Sequence, residues 1–141
     1  MSNFDRIFTL VIGEEGGYVN DPADPGGETK FGISKAAHPD VDIESLTLEQ
    51  AQAIYLEDYW NPLALDTQTF GSALMIFDCA VNQGVDVAKS ILASPEALQA
   101  PRIVSFQAER ILRYAKNANF GTFGRGWMRR VIQIAIEATQ R

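Results

Sequence analysis

Apolar residues at helical spacing open the chain. Five of them recur at intervals of three and four positions: Phe4, Ile7, Phe8, Val11 and Ile12. This is the periodicity of one face of an α-helix. Ser2 and Asp5 have the spacing of a capping box, with Asp in place of the usual Glu or Gln, and Gly16-Gly17 supplies a stop. The pattern predicts a helix from residue 3 to residue 15.

A segment rich in glycine and proline follows, with the sequence GGYVNDPADPGGETKFG over residues 16–32. Neither a helix nor a long strand is expected in such a segment. An irregular segment of this length in a small protein is usually functional. Short strands around Tyr18-Val19 and Lys30-Phe31 are expected to pair as a very small hairpin near residues 18–32.

Beyond residue 34 the periodicity is helical. Thr47 and Gln50 form a second capping-box pattern, and residues 121–126 are a glycine-rich joint. The predicted helices are a short one after Ser34 that ends at His38-Pro39, then 48–60, 70–83, 86–93, 102–116 and 127–139. Residues 70–83 are apolar enough to form a central buried helix. The fold class is therefore all-α, apart from the small hairpin.

Composition fits one globular domain over residues 1–141. The chain has 12 Lys plus Arg, 18 Asp plus Glu and 46% hydrophobic residues. It contains no apolar run of the ~20 residues that a membrane span needs, so stable membrane insertion is not expected. The first residues lack the pattern of a secretory signal, which predicts synthesis in a cytoplasm. The lone Cys79 is predicted to be a buried, reduced thiol.

Charge is divided unevenly. Residues 1–100 carry 4 basic and 16 acidic side chains, whereas residues 101–141 carry 8 basic and 2 acidic ones. The asymmetry indicates either a basic face for a polyanion or two parts of one protein that attract each other, and the second interpretation is favoured. The overall acidic charge and the absence of a groove-reading motif argue against nucleic acid as a partner.

Glu15 is the first candidate for chemistry. Projected at roughly 100° per residue, it falls on the apolar stripe of the first predicted helix, while Glu14 falls to one side. Partial burial raises the pKa of a carboxyl group toward the range of a general acid. The alternative is that the helix frays at Gly13 and both glutamates are solvated.

Asp24 and Thr29 lie in the segment that follows. A second carboxylate opposite the first is what glycoside hydrolysis requires, and a threonine hydroxyl can help to orient the attacking water. The alternative for Asp24 is an Asx turn before Pro25. The same alternative is the favoured one for Asp21, which precedes Pro22.

Four sequence blocks resemble one family. The stretch EEGGYVNDPADPGGETKFGIS contains Glu-Gly-Gly followed by Asp-x-Gly-Gly-x-Thr-x-x-Gly-Ile, and later blocks read AIYLEDYWNPLALD, FDCAVNQG and FGTFGRGWMRR. Their order is similar to that in the N-acetylmuramidases of glycoside hydrolase family 108. The resemblance implies a lysozyme-like helical fold, peptidoglycan as substrate and Glu15 as catalytic acid. The wider phage lysozyme pattern implies a catalytic triad of Glu15, Asp24 and Thr29.

The chain departs from the family in its central part. The segment VDVAKSILASPEALQAPRIVSF is shorter than its family counterpart and lacks the Leu-Gln, Asp-Gly, Gly and Thr pattern. The expectation is one catalytic domain with a shortened central segment and no separate wall-binding domain.

Tyr18, Tyr59 and Asn82 are the candidate substrate-binding residues. Tyr18 lies nearest the predicted cleft, and tyrosines can stack on sugars, although Tyr55, Tyr59 and Trp60 also fit a core role with satisfied polar tips. Asn82 is favoured as a substrate contact over Asp78, for which a structural hydrogen-bond network is favoured. His38 has no Cys or His neighbours and no phosphate loop occurs, so neither a metal nor a cofactor is expected.

The sequence thus predicts a muramidase that cleaves the β-1,4 bond between N-acetylmuramic acid and N-acetylglucosamine. It would be a monomeric phage or prophage endolysin, made in the host cytoplasm and released through a holin-type pore. An inverting mechanism is expected, with retention left open. The alternatives are a lytic transglycosylase and a catalytically silent peptidoglycan-binding or assembly protein on the same fold.

Overall fold

A computed structural model describes residues 1–13, 16–98 and 101–140. The chain divides into two compact units, Met1–Asp58 and Tyr59–Arg141. The described residues form six α-helices and one three-stranded antiparallel sheet, which confirms the predicted mostly helical class. Within these ranges, no helix has the length and apolar character to cross a membrane.

Helix α1 spans Asn3–Val11 and begins with the predicted capping box. The Ser2 hydroxyl accepts a hydrogen bond from the Asp5 backbone N–H at 3.1 Å, and the Asp5 carboxylate accepts one from the Ser2 backbone N–H at 2.7 Å. The predicted continuation through residues 12 and 13 is wrong. The helix ends at Val11, and Gly13 adopts a φ of +80°, which is left-handed and incompatible with a continuing right-handed helix.

The sheet consists of β1 (Val19–Asn20), β2 (Glu28–Lys30) and β3 (Ile33–Ser34). Strand β2 is central: Thr29 is opposite Val19 on one side and Ser34 on the other. The predicted pairing of two short strands is confirmed, and β3 adds a third. The predicted short helix after Ser34 is wrong, because only turns follow. Pro39 disfavours helical backbone at the preceding residue.

Helix α2 spans Leu48–Tyr55, and its capping box between Thr47 and Gln50 is present as predicted. The predicted continuation to residue 60 is helical, but as a π-helical segment over Leu56–Trp60. Two 3₁₀ turns follow, Asn61–Leu63 and Leu65–Thr67, separated by Ala64 at a φ of +48°. Pro62 lies in the first of these turns, where its missing N–H is tolerated.

The unit Tyr59–Arg141 contains α3 (Phe70–Gln83), α4 (Val85–Leu92), α5 (Arg102–Ala115) and α6 (Phe120–Thr139), with a short 3₁₀ turn over Glu96–Leu98. Helix α3 has the predicted bounds, and nine of its 14 residues are buried. A Cβ at Gly71 would overlap the Ala138 carbonyl oxygen, so α3 and α6 cross at a glycine. The predicted glycine-rich joint over 121–126 is wrong, since these residues are the first turns of α6.

The buried face of α5 is partly polar. Its buried residues are Phe106, Gln107, Arg110 and Tyr114, whereas Leu112 is 54% exposed. The side chain of Arg110 is fully buried because Asp78 on α3 pairs with it. A buried charge needs such a partner, and this pair sets which face of α5 is turned inward.

Candidate active site

Gly16, which follows Glu15 in the chain, contacts the turn between β2 and β3. A Cβ added at Gly16 would overlap the ring atom Cδ1 of Phe31, so only glycine allows this approach. Glu15 itself, the predicted catalytic acid, lies outside the described residues, as does Glu14. The backbone immediately after Glu15 is nevertheless held against the turn that begins two residues after Thr29.

The turn is itself anchored. Phe31 and Gly32 have φ values of +51° and +75°, the pair of left-handed residues found in a type I′ hairpin turn. A left-handed phenylalanine is strained and persists only where its surroundings hold it. The Tyr55 hydroxyl donates a hydrogen bond of 3.0 Å to the Phe31 carbonyl oxygen. Tyr55 is therefore a core residue with a satisfied polar tip.

Asp24 lies in the exposed connection between β1 and β2. Its Oδ1 accepts a hydrogen bond of 2.8 Å from the Gly26 backbone N–H, and its carbonyl oxygen accepts one of 3.0 Å from Gly27. Asp21 forms the same kind of Asx turn with Ala23 at 2.9 Å. Both aspartates therefore form Asx turns. The hydrogen bond at Asp24 also fixes the orientation of its carboxylate, whose Oδ2 has no hydrogen-bond partner among the described residues.

Thr29 lies in the middle of the sheet, partly exposed. Its cross-strand neighbour Ser34 projects to the same face, as directly opposed residues do. The Cβ of Ser34 is 3.5 Å from the position that a Cβ at Gly26 would take, and Asp24 Oδ1 is 3.1 Å from that position. Gly26 therefore lies beside both the Asp24 carboxylate and Ser34, the cross-strand neighbour of Thr29.

Tyr18 contacts the other face of the sheet. Its hydroxyl donates a hydrogen bond of 2.7 Å to Glu28 Oε1, and Glu28 projects opposite to Thr29, its neighbour in β2. The hydrogen bond to the Glu28 carboxylate raises the pKa of Tyr18 above its ordinary value. Glu28 was missed by sequence reasoning, because its contact with Tyr18 depends on the register of β1 and β2.

Asn82 belongs to the unit Tyr59–Arg141 and lies near the end of α3. Its side-chain amide donates to the Asp78 carbonyl oxygen at 2.8 Å and to Asp78 Oδ1 at 3.3 Å. The amide nitrogen is thereby occupied, and the carbonyl Oδ1 of this exposed side chain is left as an acceptor.

Asp78 is the centre of a buried network of ion pairs and hydrogen bonds, which confirms the structural role favoured for it. Its fully buried carboxylate pairs with Arg110 at 2.9 Å and with Arg130 at 2.6 Å. The Arg130–Asp78 pair joins a basic residue of the last part of the chain to an acidic residue of the first hundred, as the favoured interpretation of the charge asymmetry predicts. Arg110 was missed, because nothing in the amphipathic pattern of α5 marks a buried cation; the one signal is the need of Asp78 for a partner.

Tyr59 and Trp60 lie in the π-helical segment. Trp60 is fully buried, and its indole N–H donates a hydrogen bond of 3.1 Å to Asp66 Oδ1. Its ring meets Phe77 edge-on, with centroids 5.7 Å apart, so Trp60 is a core residue. Tyr59 is half-buried. No group of three His, Cys, Asp or Glu side chains in the described ranges is arranged to hold a metal ion.

Comparisons with known proteins identify a family and a similar structure. The family model described as glycosyl hydrolase 108 matches residues 8–84, more than half of the chain, and this range includes all six predicted site residues. The structure of Brucella abortus SagA is similar, with 29% identity and a TM-score of 0.79, over 97% of this chain and 94% of that one. No curated protein sequence matches the chain at a significant level.

The helical fold with a small three-stranded sheet is a mostly-α, lysozyme-like one. The protein is a glycoside hydrolase of the peptidoglycan hydrolase type. From the family match and the structural similarity together, the chain belongs to glycosyl hydrolase family 108.

Proposed function

We propose that the protein is an N-acetylmuramidase that cleaves the β-1,4 bond between N-acetylmuramic acid and N-acetylglucosamine in peptidoglycan. The observation that carries the proposal is the family match over residues 8–84, which spans the whole candidate site. Support from the geometry comes from Gly26, which lies beside both the Asp24 carboxylate and Ser34, the residue opposite Thr29 in the sheet.

The proposed reaction uses two carboxyl groups on opposite sides of the scissile bond. The Glu15 carboxyl donates its proton to the leaving glycosidic oxygen. The Asp24 carboxylate accepts a proton from a water molecule that attacks the anomeric carbon, and the Thr29 hydroxyl orients that water. The C–O bond to the leaving sugar breaks as the bond to water forms, which inverts the anomeric configuration.

The exposed carboxylate of Asp24 suits this role. Its Oδ1 is fixed by the Gly26 backbone N–H, while Oδ2 has no partner in the described part of the chain. A carboxylate held by one oxygen and open at the other is oriented without being neutralised, which a base that positions water requires.

Substrate contacts are proposed for Tyr18, Tyr59 and Asn82. Tyr18 and Tyr59 offer aromatic surface on which a sugar ring can stack. The Asn82 carbonyl oxygen is oriented by the two hydrogen bonds that its amide nitrogen donates to Asp78. Such an acceptor suits a sugar hydroxyl or the N–H of an acetamido group.

The proposed biological setting is host lysis by a phage or prophage endolysin. The protein would be made as a monomer in the bacterial cytoplasm and would reach the wall through a holin-type pore. Export of the protein in cells with and without a holin gene, followed by lysis, tests this part separately from the chemistry.

The ends of the fragments test the proposed reaction. Purified Gram-negative peptidoglycan is digested with the wild-type protein, and the fragments are identified by mass spectrometry. Fragments with reducing N-acetylmuramic acid ends are expected. Anhydro ends would show a lytic transglycosylase, which uses one acid and no activated water. Pelleting with peptidoglycan without any new ends would show a silent binding protein.

A further inference from the structure

The outer face of α6 carries an open groove of about 730 Å³, lined by residues of this helix. The opposite face of α6 is turned inward, where Val131, Ile134 and Ala138 are buried. The Val131 carbonyl oxygen accepts a hydrogen bond of 2.9 Å from the Gln107 side chain on α5. These contacts fix the rotation of α6 about its axis, so the groove always faces outward in the unit Tyr59–Arg141.

Apolar side chains form a stripe along this outer face. Ile132 is 57% exposed and Ile136 is 50% exposed, and Met128 lies half-buried in the same groove. The three residues are spaced four positions apart, so they are neighbours on one side of the helix. Contiguous exposed apolar residues with a polar rim mark a surface that contacts another molecule.

Two arginines share the face with this stripe. Arg125 and Arg129 precede Ile132 by seven and three positions, a spacing that places all three on one side of the helix. Both arginines are exposed and line the groove, and neither forms an ion pair with a described residue. Arg130, in contrast, pairs with Asp78. The two groove arginines are therefore available to an anionic partner.

The net charge of this face is positive. Among the residues that line the groove, the arginines supply two cations and Glu137 supplies one carboxylate. The unit Tyr59–Arg141 carries nine basic and six acidic residues, although the net charge of the whole chain is −6. The face is therefore complementary to an anionic surface.

A second copy of the chain matches this face poorly. Two copies that met through it would bring four arginines together with two copies of Glu137, and burial of unpaired cations is costly. Three apolar side chains also offer far less area than the roughly 800 Å² per partner that a specific interface buries. A lipid bilayer matches it better, because lipid phosphates pair with arginine and the layer beneath them accepts apolar side chains.

We propose that the outer face of α6 docks peripherally on a bilayer of anionic phospholipids. Met128, Ile132 and Ile136 enter the boundary between headgroups and acyl chains, and Arg125 and Arg129 bind lipid phosphates. The helix lies along the bilayer surface, as an interfacial amphipathic helix does, and does not span the bilayer. The proposal does not rest on the proposed muramidase activity.

Vesicle binding by the whole protein tests the proposal. Vesicles of phosphatidylglycerol and phosphatidylcholine in equal parts are compared with vesicles of phosphatidylcholine alone, and the bound fraction is measured by flotation over a range of lipid concentrations. Affinity for the neutral vesicles should be about 25-fold lower, since each arginine near an anionic surface contributes about fivefold. Binding to the anionic vesicles should weaken at high salt, because salt screens the headgroup charge.

Two double variants test the two components of the face. Arg125→Gln/Arg129→Gln should lower the affinity for anionic vesicles about 25-fold. Ile132→Ser/Ile136→Ser should lower it about tenfold, because the burial of two half-exposed aliphatic side chains is lost. All four positions are exposed, so both variants should keep the circular dichroism spectrum of the wild type.

Matched controls lie outside the α6 groove. Lys89→Gln/Lys116→Gln removes the same number of positive charges from two exposed lysines, one in α4 and one directly after α5. Val104→Ser/Leu112→Ser removes two exposed aliphatic side chains from α5. Neither control should change the affinity for anionic vesicles.

Equal binding to both kinds of vesicle, no binding to either, or equal losses in the face variants and the controls would overturn the proposal. Loss of binding in Arg125→Gln/Arg129→Gln alone would overturn it too, since that result would indicate a site for phosphate rather than for a lipid surface. A dimer detected by light scattering in place of vesicle binding, and abolished by Ile132→Ser/Ile136→Ser, would assign the face to a second copy of the chain.

Discussion

The backbone of Gly16 packs against the ring of Phe31 so closely that no side chain fits at position 16. Phe31 is held in a left-handed conformation, and its carbonyl oxygen is bound by Tyr55. The residue that follows the proposed catalytic acid is thus fixed to the turn that ends the strand of Thr29. This contact explains in physical terms why the sequence carries glycine directly after Glu15.

Gly16→Ala tests the contact. The added Cβ must displace the Phe31 ring, and overpacking of this kind typically costs about 1–3 kcal/mol. The free energy of unfolding from urea denaturation is the measurement. Gly17→Ala is the matched control, because a Cβ there meets nothing within 4 Å, and it should change stability by no more than about 0.5 kcal/mol. Equal stability of the two variants would disprove the contact.

Asp24→Asn separates the two roles of this side chain. Asparagine keeps an Oδ1 that can accept from the Gly26 N–H, so stability should change by no more than about 0.5 kcal/mol. Loss of the carboxylate should reduce the rate of peptidoglycan cleavage about a hundredfold or more, the typical contribution of a general base. Asp21→Asn, in the neighbouring Asx turn, should retain activity. Full activity of Asp24→Asn would instead indicate a reaction without an activated water.

The network around Asp78 predicts a large effect on stability. Asp78→Asn leaves Arg110, whose side chain is fully buried, without a counter-charge, and breaking a buried pair typically costs about 3–5 kcal/mol. The exposed Asp86 in the first turn of α4 supplies a comparison, since Asp86→Asn should cost less than about 1 kcal/mol. Thermal unfolding of both variants measures the difference. A cost at Asp78 as small as that at Asp86 would contradict the network.

Cys79 should react slowly with alkylating agents. Burial raises the pKa of its thiol to about 11, so the reactive thiolate is scarce at pH 8. A shift of two pKa units corresponds to about a hundredfold lower thiolate fraction than in the unfolded chain. Alkylation by iodoacetamide, followed by mass spectrometry, should therefore be at least that much slower in the native protein than in denaturant. Comparable rates in both would show that Cys79 is accessible.

The raised pKa of Cys79 also determines how the free energy of unfolding changes with pH. The raised pKa means that the unfolded chain releases the thiol proton first as the pH rises. The contribution of Cys79 to stability is therefore complete below the ordinary thiol pKa and is lost as the pH rises through about 11. The difference in unfolding free energy between the wild type and Cys79→Ala should shrink over that interval, and a growing difference would contradict the assignment.

Elements with strong local signals were predicted well. Both capping boxes, at Ser2 and Thr47, form as expected. Helix α3 has its predicted bounds because its apolar run is preceded by a threonine cap and followed by Gly84, which define both ends. Two predictions about glycines were wrong: the helix-ending effect of a single glycine was underestimated in α1, and that of several glycines was overestimated in α6. Gly13 ends α1 early by adopting a positive φ, whereas the glycines of residues 121–126 are helical, and Gly124 lies against the Phe120 ring of the same helix.

Within the candidate site, sequence reasoning identified residues but not all of their surroundings. The Asx turns of Asp21 and Asp24 follow from local chemistry and were foreseen. The partners of Tyr18 and Asp78, namely Glu28 and Arg110, depend on strand register and helix packing. Such tertiary relations carry no local signal, so they could not be read from a single sequence.

The most direct test of the central claim compares Glu15→Gln with Glu14→Gln on purified peptidoglycan. These neighbouring substitutions remove the same charge and keep the same shape. We predict that the wild type and Glu14→Gln release fragments with reducing N-acetylmuramic acid ends, and that Glu15→Gln, folded to the same extent by circular dichroism, releases none. Undiminished release by folded Glu15→Gln would contradict the assignment of Glu15 as the acid.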